Sequence, residues 1–177
     1  MVEPSASGSP RSAAIGEKKN TLQFVGFQID HQQYAFRIEE IQEIVIPTRV
    51  TQTPEVADYV EGVSNLRGAI IPIINLRKLL GLDPKPVDTD TRTIVVNVGQ
   101  RTMGCTVDMV SQVIRIPADR IQPVPEAVTA DGASYVSGFV KLDEGLMILL
   151  DINELLDPAK LGRHRQTTLP AMPPLSK

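Results

Sequence analysis

Tryptophan is missing from the chain, and Phe and Tyr are so few that aromatic residues make up only 4% of it. Proteins hold single-stranded nucleic acid largely by stacking bases on exposed rings, so that mode is poorly supplied. Positive charge is not in excess either. The formal net charge is -3, whereas affinity for a phosphate backbone comes from clustered Lys and Arg that release counterions. One cysteine, Cys105, cannot close a disulfide within the chain, and the opening MVEPSASGSPRS has no apolar stretch of the secretory kind. From these absences we expect a cytoplasmic protein. The longest apolar run, Ala69 to Ile74, is far short of the ~20 residues needed to cross a bilayer, so direct membrane insertion is not expected.

Catalytic equipment is scarce as well. Two histidines occur, His31 in a turn-like stretch and His164 near the end, far apart and with no evident partner. Gly-rich phosphate loops and the HExxH, CxxC and GxSxG patterns are absent. Glu39, Glu40 and Glu43 follow the spacing of a solvated helix. Cys105 falls in a strand-like segment and reads as a small buried hydrophobe. The competing reading, a nucleophile, would require a lowered thiol pKa. No catalytic residue, metal site or cofactor is expected.

What is present is a globular balance, 42% hydrophobic and 22% charged over 177 residues, enough for one ordinary domain with a real core. Residues 1–20 are rich in Ser, Pro, Gly and Lys, and residues 162–177 mix basic residues with three prolines. Both read as flexible segments around a domain at 21–161. Within it, short apolar segments alternate between turn signals. Leu22 to Ile29, Thr93 to Val98 and Leu146 to Leu150 are the clearest strands. Leu76, Leu79 and Leu80, and then Ile152, Leu155 and Leu156, share faces of short helices, with Asn75 and Asp151 placed to cap them.

The chain also repeats itself. Tyr59-Val60-Glu61-Gly62, then Leu66, Ile70 to Ile74, Asn75 and Leu79-Leu80, returns 76 residues later as Tyr135-Val136-Ser137-Gly138, Leu142, Leu146 to Leu150, Asp151 and Leu155-Leu156. Upstream, Phe27 to Val45 matches Val96 to Ile114 at an offset of 69, pairing Tyr34 with Met103, Phe36 with Cys105, Ile38 with Val107 and Ile44 with Val113. A repeated pattern means a repeated structural unit. Each half, about 22–80 and 93–156, would be a small barrel too short to stand alone, so the halves should pack together, with or without exchanging strands, and leave a groove between them.

One stretch is chemically dense, Gly62-Val63-Ser64-Asn65-Leu66-Arg67-Gly68-Ala69-Ile70-Ile71-Pro72-Ile73-Ile74-Asn75-Leu76-Arg77. Asn65 and Gly68 suit a tight turn, Asn tolerating and Gly accepting left-handed backbone. Arg67 would then sit at a tip, its planar fork ready for a partner carboxylate; an ordinary exposed turn charge is the competing reading. Pro72 interrupts the strand it lies in, which points to an edge or a bulge there.

This stretch, with Gly99-Gln100-Arg101, Val107-Asp108 and Ile121-x-Pro-x-Pro-Glu126, resembles the signature of the CheW family of chemotaxis coupling proteins over roughly Leu22 to Leu161. The resemblance implies an all-β fold, two SH3-like five-stranded β-barrels packed side by side with a few short helices. It implies a non-catalytic adaptor that couples methyl-accepting chemoreceptors to the chemotaxis histidine kinase, cytoplasmic and recruited to membrane-associated receptor arrays. The partners it implies are the regulatory domain of the kinase, at barrel-end surfaces, and the helical cytoplasmic tip of a receptor, in the groove between barrels. In the family, the arginine of the Asn-Leu-Arg-Gly pattern and a glutamate of the early Ile-Gln-Glu-Ile segment are tied to partner binding. These are Arg67 and Glu43 here, expected to pair or lie close together. Ile41 beside Glu43, together with Gly62, Asn65 and Gly68, completes the candidate set, although the spacing of Ile41 with Ile38 and Ile44 also suits core packing. An SH3- or OB-like nucleic-acid module is the rival reading. It needs exposed aromatics and a basic face, while Tyr34, Tyr59 and Tyr135 read as core.

Overall fold

The computed structural model describes residues 20–130 and 134–158. The segments 1–20 and 162–177, read as flexible, lie outside these residues apart from Asn20. Ten strands form in chain order: β1 (Thr21–Ile29), β2 (Gln32–Arg37), β3 (Ile41–Val45), β4 (Val60–Leu66), β5 (Ala69–Asn75), β6 (Arg92–Val98), β7 (Arg101–Val107), β8 (Met109–Pro117), β9 (Val136–Leu142) and β10 (Gly145–Leu150). Short helices α1 (Leu76–Leu79), α2 (Glu126–Ala130) and α3 (Ile152–Leu155) follow β5, β8 and β10. The strands make two five-stranded sheets, ordered β8-β1-β2-β10-β9 and β3-β6-β7-β5-β4. The fold is all-β, two SH3-like barrels side by side.

The duplicated sequence explains this order. The offsets of 69 and 76 carry β1 to β6, β2 to β7, β3 to β8, β4 to β9 and β5 to β10, and that substitution turns one sheet order into the other. Each sheet therefore combines the first hairpin of one half with the last three strands of the other. Each hairpin is joined on both sides, by the antiparallel pairs β1 with β8 and β3 with β6 and by the parallel pairs β2 with β10 and β5 with β7. Among the described residues the chain passes between sheets at two places, from β2 to β3 through the 3-10 turn Ile38–Glu40, and from β7 to β8 through Asp108.

Each sheet is closed by backbone. Thr51 and Val63 exchange both hydrogen bonds, at 2.8 and 2.9 Å, so the chain leaving edge strand β3 lies on edge strand β4. Gln122 and Phe139 do the same at 2.7 and 3.0 Å beyond β8 and on β9, with Phe139 the repeat of Val63. The glycine of each Tyr-Val-x-Gly pattern permits this approach. A Cβ on Gly62 would lie 2.1 Å from the Thr51 carbonyl oxygen, and one on Gly138 would lie 2.7 Å from Ile121 Cγ2 and 3.1 Å from the Gln122 carbonyl oxygen. The tyrosines match as well: the carbonyls of Tyr59 and Tyr135 accept from Asn75 N–H and Asp151 N–H, both at 2.7 Å.

Side-chain alternation then sorts the apolar residues into three cores. Met147 and Leu149 of β10 face the inside of the first barrel with Phe24, while Ile148 and Leu150 face the second barrel. Ile71 and Ile73 of β5 join Val95 inside the second barrel, and Ile74 turns outward to the shared core. That shared core also holds Phe27, Phe36, Ile94, Cys105 and Tyr135, each at most 1% exposed. Burying one such large side chain is worth roughly 1.5–3 kcal/mol, so most of the adhesion between the barrels is apolar. Tyr34 and Tyr59 belong to it too.

Two local expectations need correction. The helical spacing read across Ile38, Ile41 and Ile44 is a single 3-10 turn followed by strand β3. Ile41 pairs with Val96 and Glu43 with Val95, so Gln42 is an extra residue; such a bulge turns two-residue alternation into an apparent period of three. Pro72 is not on an edge, because β5 lies between β7 and β4. Val63, its partner across β4, points its own N–H and C=O at Thr51. The ring nitrogen of Pro72 accordingly faces β7, whose ladder with β5 begins one residue later at Ile73, so no hydrogen bond is forfeited. The caps form as read: Asn75 accepts from Lys78 N–H, and Asp151 from Asn153 N–H and Glu154 N–H.

Candidate functional site

Leu66 and Ala69 are the last pair of the β4–β5 hairpin, which leaves Arg67 and Gly68 as a two-residue turn. Tight hairpins need backbone of positive φ at both central positions to match strand twist, and here φ is +53° at Arg67 and +90° at Gly68. The left-handed position is thus occupied by Arg67, not by Asn65 as the sequence reading had it. Asn65 stays in the strand, and its side-chain oxygen accepts the Gly68 N–H at 2.9 Å. The turn is built by all three residues, and it projects Arg67 with 73% of its side chain exposed.

Across the barrel end, β3 presents Glu43. Arg67 Nε donates to Glu43 Oε2 at 3.0 Å and Nη2 to Oε1 at 2.7 Å, a fork-to-fork pair. The hydrogen bond from Arg67 holds the Glu43 carboxyl below the usual carboxylate range and raises the guanidinium in turn. A guanidinium has five N–H donors; two are on Glu43, so three remain for a partner. The carboxylate that fills this edge of the fork therefore comes from the same chain.

The other expected residues are placed differently. Ile41 is half-buried and packs on the shared core. Gly62 is buried beneath Thr51, where it shapes the base of the hairpin and not its surface. What the sequence reading missed is apolar. Ile44, Ile46 and Ile70 are 38%, 70% and 64% exposed. Ile44 follows Glu43, Ile70 follows the turn by two residues, and Ile46 leads into the segment whose Thr48 hydroxyl and Arg49 carbonyl bond to Ser64 on β4. Exposed isoleucines close in sequence to a fixed ion pair are an interface composition that alternation alone did not reveal.

Reactive chemistry is thin among the described residues. No three His, Cys, Asp or Glu side chains gather closely enough to hold a metal ion. Burial pushes the Cys105 thiol up to about 12, so the strand cysteine is a core residue. A cleft of about 360 Å³ at the end of the first barrel holds Arg37, Glu40 and Asp151 above Phe24 and Leu149. The Glu40 carboxyl is raised there, by burial first and then by the Asp151 charge, and accepts from Asn153 Nδ2. His31 is exposed in the β1–β2 turn, and His164 lies outside the described residues. No helix among the described residues is long and apolar enough to cross a membrane.

A family model described as the CheW-like domain matches residues 23–160. The chain belongs to the CheW-like family. It is 37% identical over 140 residues to the chemotaxis protein CheW of Klebsiella aerogenes, covering 79% of this chain and 84% of that one. It is also 37% identical over 150 residues to the chemotaxis protein CheW of Helicobacter pylori, covering 82% and 90%. Among solved structures, the scaffolding protein TtCheW of Thermoanaerobacter tengcongensis superposes with a TM-score of 0.70 at 33% identity, over 77% of this chain and 92% of that one. These relatives are chemotaxis proteins and give the nucleic-acid reading no support. The CheW-like match spans all ten strands save the first two residues of β1, so the paired Arg67 and Glu43 lie well within it.

Proposed function

We propose that this protein is a non-catalytic scaffold of chemotaxis signalling that couples methyl-accepting chemoreceptors to the chemotaxis histidine kinase. In this reading the regulatory domain of the kinase binds barrel-end surfaces, and the helical cytoplasmic tip of a receptor lies in the groove between barrels. The protein would then be recruited from the cytoplasm to membrane-associated receptor arrays. The observation that carries the reading is the Arg67–Glu43 pair on an exposed tip, with exposed Ile44, Ile46 and Ile70 close to these two residues in sequence. A pre-fixed guanidinium with spare donors gives orientation, and the isoleucines give area that is lost from water on docking. Gly62, Asn65 and Gly68 serve it by holding the hairpin, and Ile41 by seating β3 on the core. Contacts that must exchange during array assembly suit micromolar affinities, about -8 kcal/mol each.

The test is a pull-down of the full chain with a purified kinase regulatory domain and, separately, with a receptor-tip fragment. Binding to each is expected. Failure to bind either would overturn the adaptor reading.

A further inference from the structure

Two signature positions remain unassigned by the adaptor reading, Arg77 at the end of the Leu-Arg pattern and Asp108 at the end of Val-Asp. They lie 31 residues apart in sequence and meet in space, Arg77 Nη1 donating to Asp108 Oδ2 at 2.5 Å. Asp108 is the one residue between β7 of the second sheet and β8 of the first, hence one of the two passages between the barrels among the described residues. The same Oδ2 accepts the Asp30 backbone N–H at 2.7 Å, and the Asp108 N–H donates to the Gln28 carbonyl at 3.2 Å. Gln28 and Asp30 belong to β1 and the β1–β2 turn of the first barrel. Arg77 belongs to α1 on the second, where its Nε donates to the Asp83 carbonyl at 2.7 Å. A weaker contact of 3.5 Å joins Arg77 Nη2 to Asp30 Oδ1.

The apolar core between the sheets adheres strongly but has little directionality. A paired charge with few acceptable geometries does have it, and the side chains of Arg77 and Asp108 are 13% and 12% exposed. Such pairs add little net stability, and where they matter it is in selecting one arrangement. The other passage, Ile38–Glu40, has no side-chain cap on its 3-10 turn; its Glu39 pairs with exposed Arg37, and its Glu40 accepts one hydrogen bond from the neutral Asn153 Nδ2 at 3.0 Å. The passage at Asp108 differs in carrying an ion pair, and its carboxylate accepts from both Arg77 and the Asp30 backbone.

We propose that Arg77 and Asp108 are positioning residues whose pair, seated on the Asp30 N–H, sets the angle between the two barrels and so the shape of the groove between them. The effect on receptor binding rests on the adaptor reading; the effect on barrel geometry does not.

The test uses the full chain in a Cys105→Ala background with spin labels at two exposed positions, Lys141 on β9 and Arg101 on β7. Arg77→Met keeps the apolar stem and removes the fork, Asp108→Asn removes the charge, and Arg77→Lys keeps the charge without the fork. In Arg77→Met and Asp108→Asn the label-to-label distance distribution should shift or broaden, with Arg77→Lys between them and the parent. Affinity for a receptor-tip fragment should fall about tenfold, within the range seen for residues that couple sites, while affinity for the kinase regulatory domain stays within about twofold. An unchanged distance distribution in both variants would overturn the proposal, as would a distribution that moves while both affinities fall together. Should Asp108→Asn fail to fold by circular dichroism, the Arg77 pair of variants decides alone. If the parent binds neither partner, the adaptor reading fails and the distance measurement still judges the clamp.

Discussion

Arg67 gives both Nε and Nη2 to Glu43 while its own backbone sits at φ +53°, so the side chain that carries the charge also carries the strain of the turn. A left-handed non-glycine residue costs roughly 1 kcal/mol, and Asn followed by Gly is the pair best suited to a turn of this shape. The hairpin here has Arg where its backbone would favour Asn.

Arg67→Asn should consequently leave the melting temperature unchanged or slightly higher while weakening partner capture about tenfold or more. Arg67→Glu, which sets two carboxylates together, should abolish co-sedimentation with receptor or kinase without lowering the melting temperature by more than about 2 °C. A thermal melt beside a pull-down checks both; intact binding by either variant would remove Arg67 from the site.

The two closure glycines should differ in cost. Gly62→Ala places a methyl against the Thr51 carbonyl at a φ of +144°, where neither backbone nor side chain can give way, and about 3 kcal/mol of destabilisation is expected. Gly138→Ala meets first the Cγ2 of Ile121, a side chain at only a partly buried position, and should cost about 1–2 kcal/mol. Denaturant titration of both variants tests the ranking; equal losses would contradict the closure geometry.

The repeat was legible because it lies in residue types whose roles are physical: a glycine under a crossing strand, a tyrosine carbonyl that takes a cap residue's N–H, and an Asn or Asp ahead of a short helix. Which half supplies each strand was not. Phe36 and Cys105 occupy equivalent positions and are both fully buried, so either hairpin satisfies either sheet, and only three-dimensional closure decides. The site was legible in part. Asn65, Arg67 and Gly68 sit within one hairpin, and local turn chemistry brought them together. The partner Glu43 came from the family resemblance, since 24 residues of sequence separate it from Arg67. The meeting of Arg77 with Asp108 left no trace in spacing, and the bulge at Gln42 imitated a helix.

Three buried acids should govern alkaline stability. Burial pushes the hydroxyls of Tyr34 and Tyr135 and the Cys105 thiol up to about 12 each. Their ordinary values lie near 10 for Tyr and 8.5 for Cys. Between the ordinary and the raised values the folded chain keeps protons that the unfolded chain has lost, so stability is full below about pH 8 and falls as pH rises toward 12. Tyr34 alone should account for about 2–3 kcal/mol. Denaturant titrations from pH 7 to 11 should show a steepening decline, and Cys105→Ala should make it shallower; a flat profile would contradict the burial of these groups.

Thiol labelling offers an independent view of the same core. Cys105 should react with an alkylating reagent only as fast as the protein opens, so labelling at pH 8 should be slow in buffer and rise steeply in denaturant. Rapid labelling of the folded chain would restore the nucleophile reading.

Because β1 and β2 complete the sheet of β8, β9 and β10, while β6 and β7 complete that of β3, β4 and β5, cutting the chain between α1 and β6 would yield two pieces that each lack a hairpin for one sheet and have no home for their own. Neither piece should be soluble as a folded unit, yet mixed together they should reconstitute the native particle. The repeated pattern thus forms an interlock, and the chain should divide in solution only as complementing fragments.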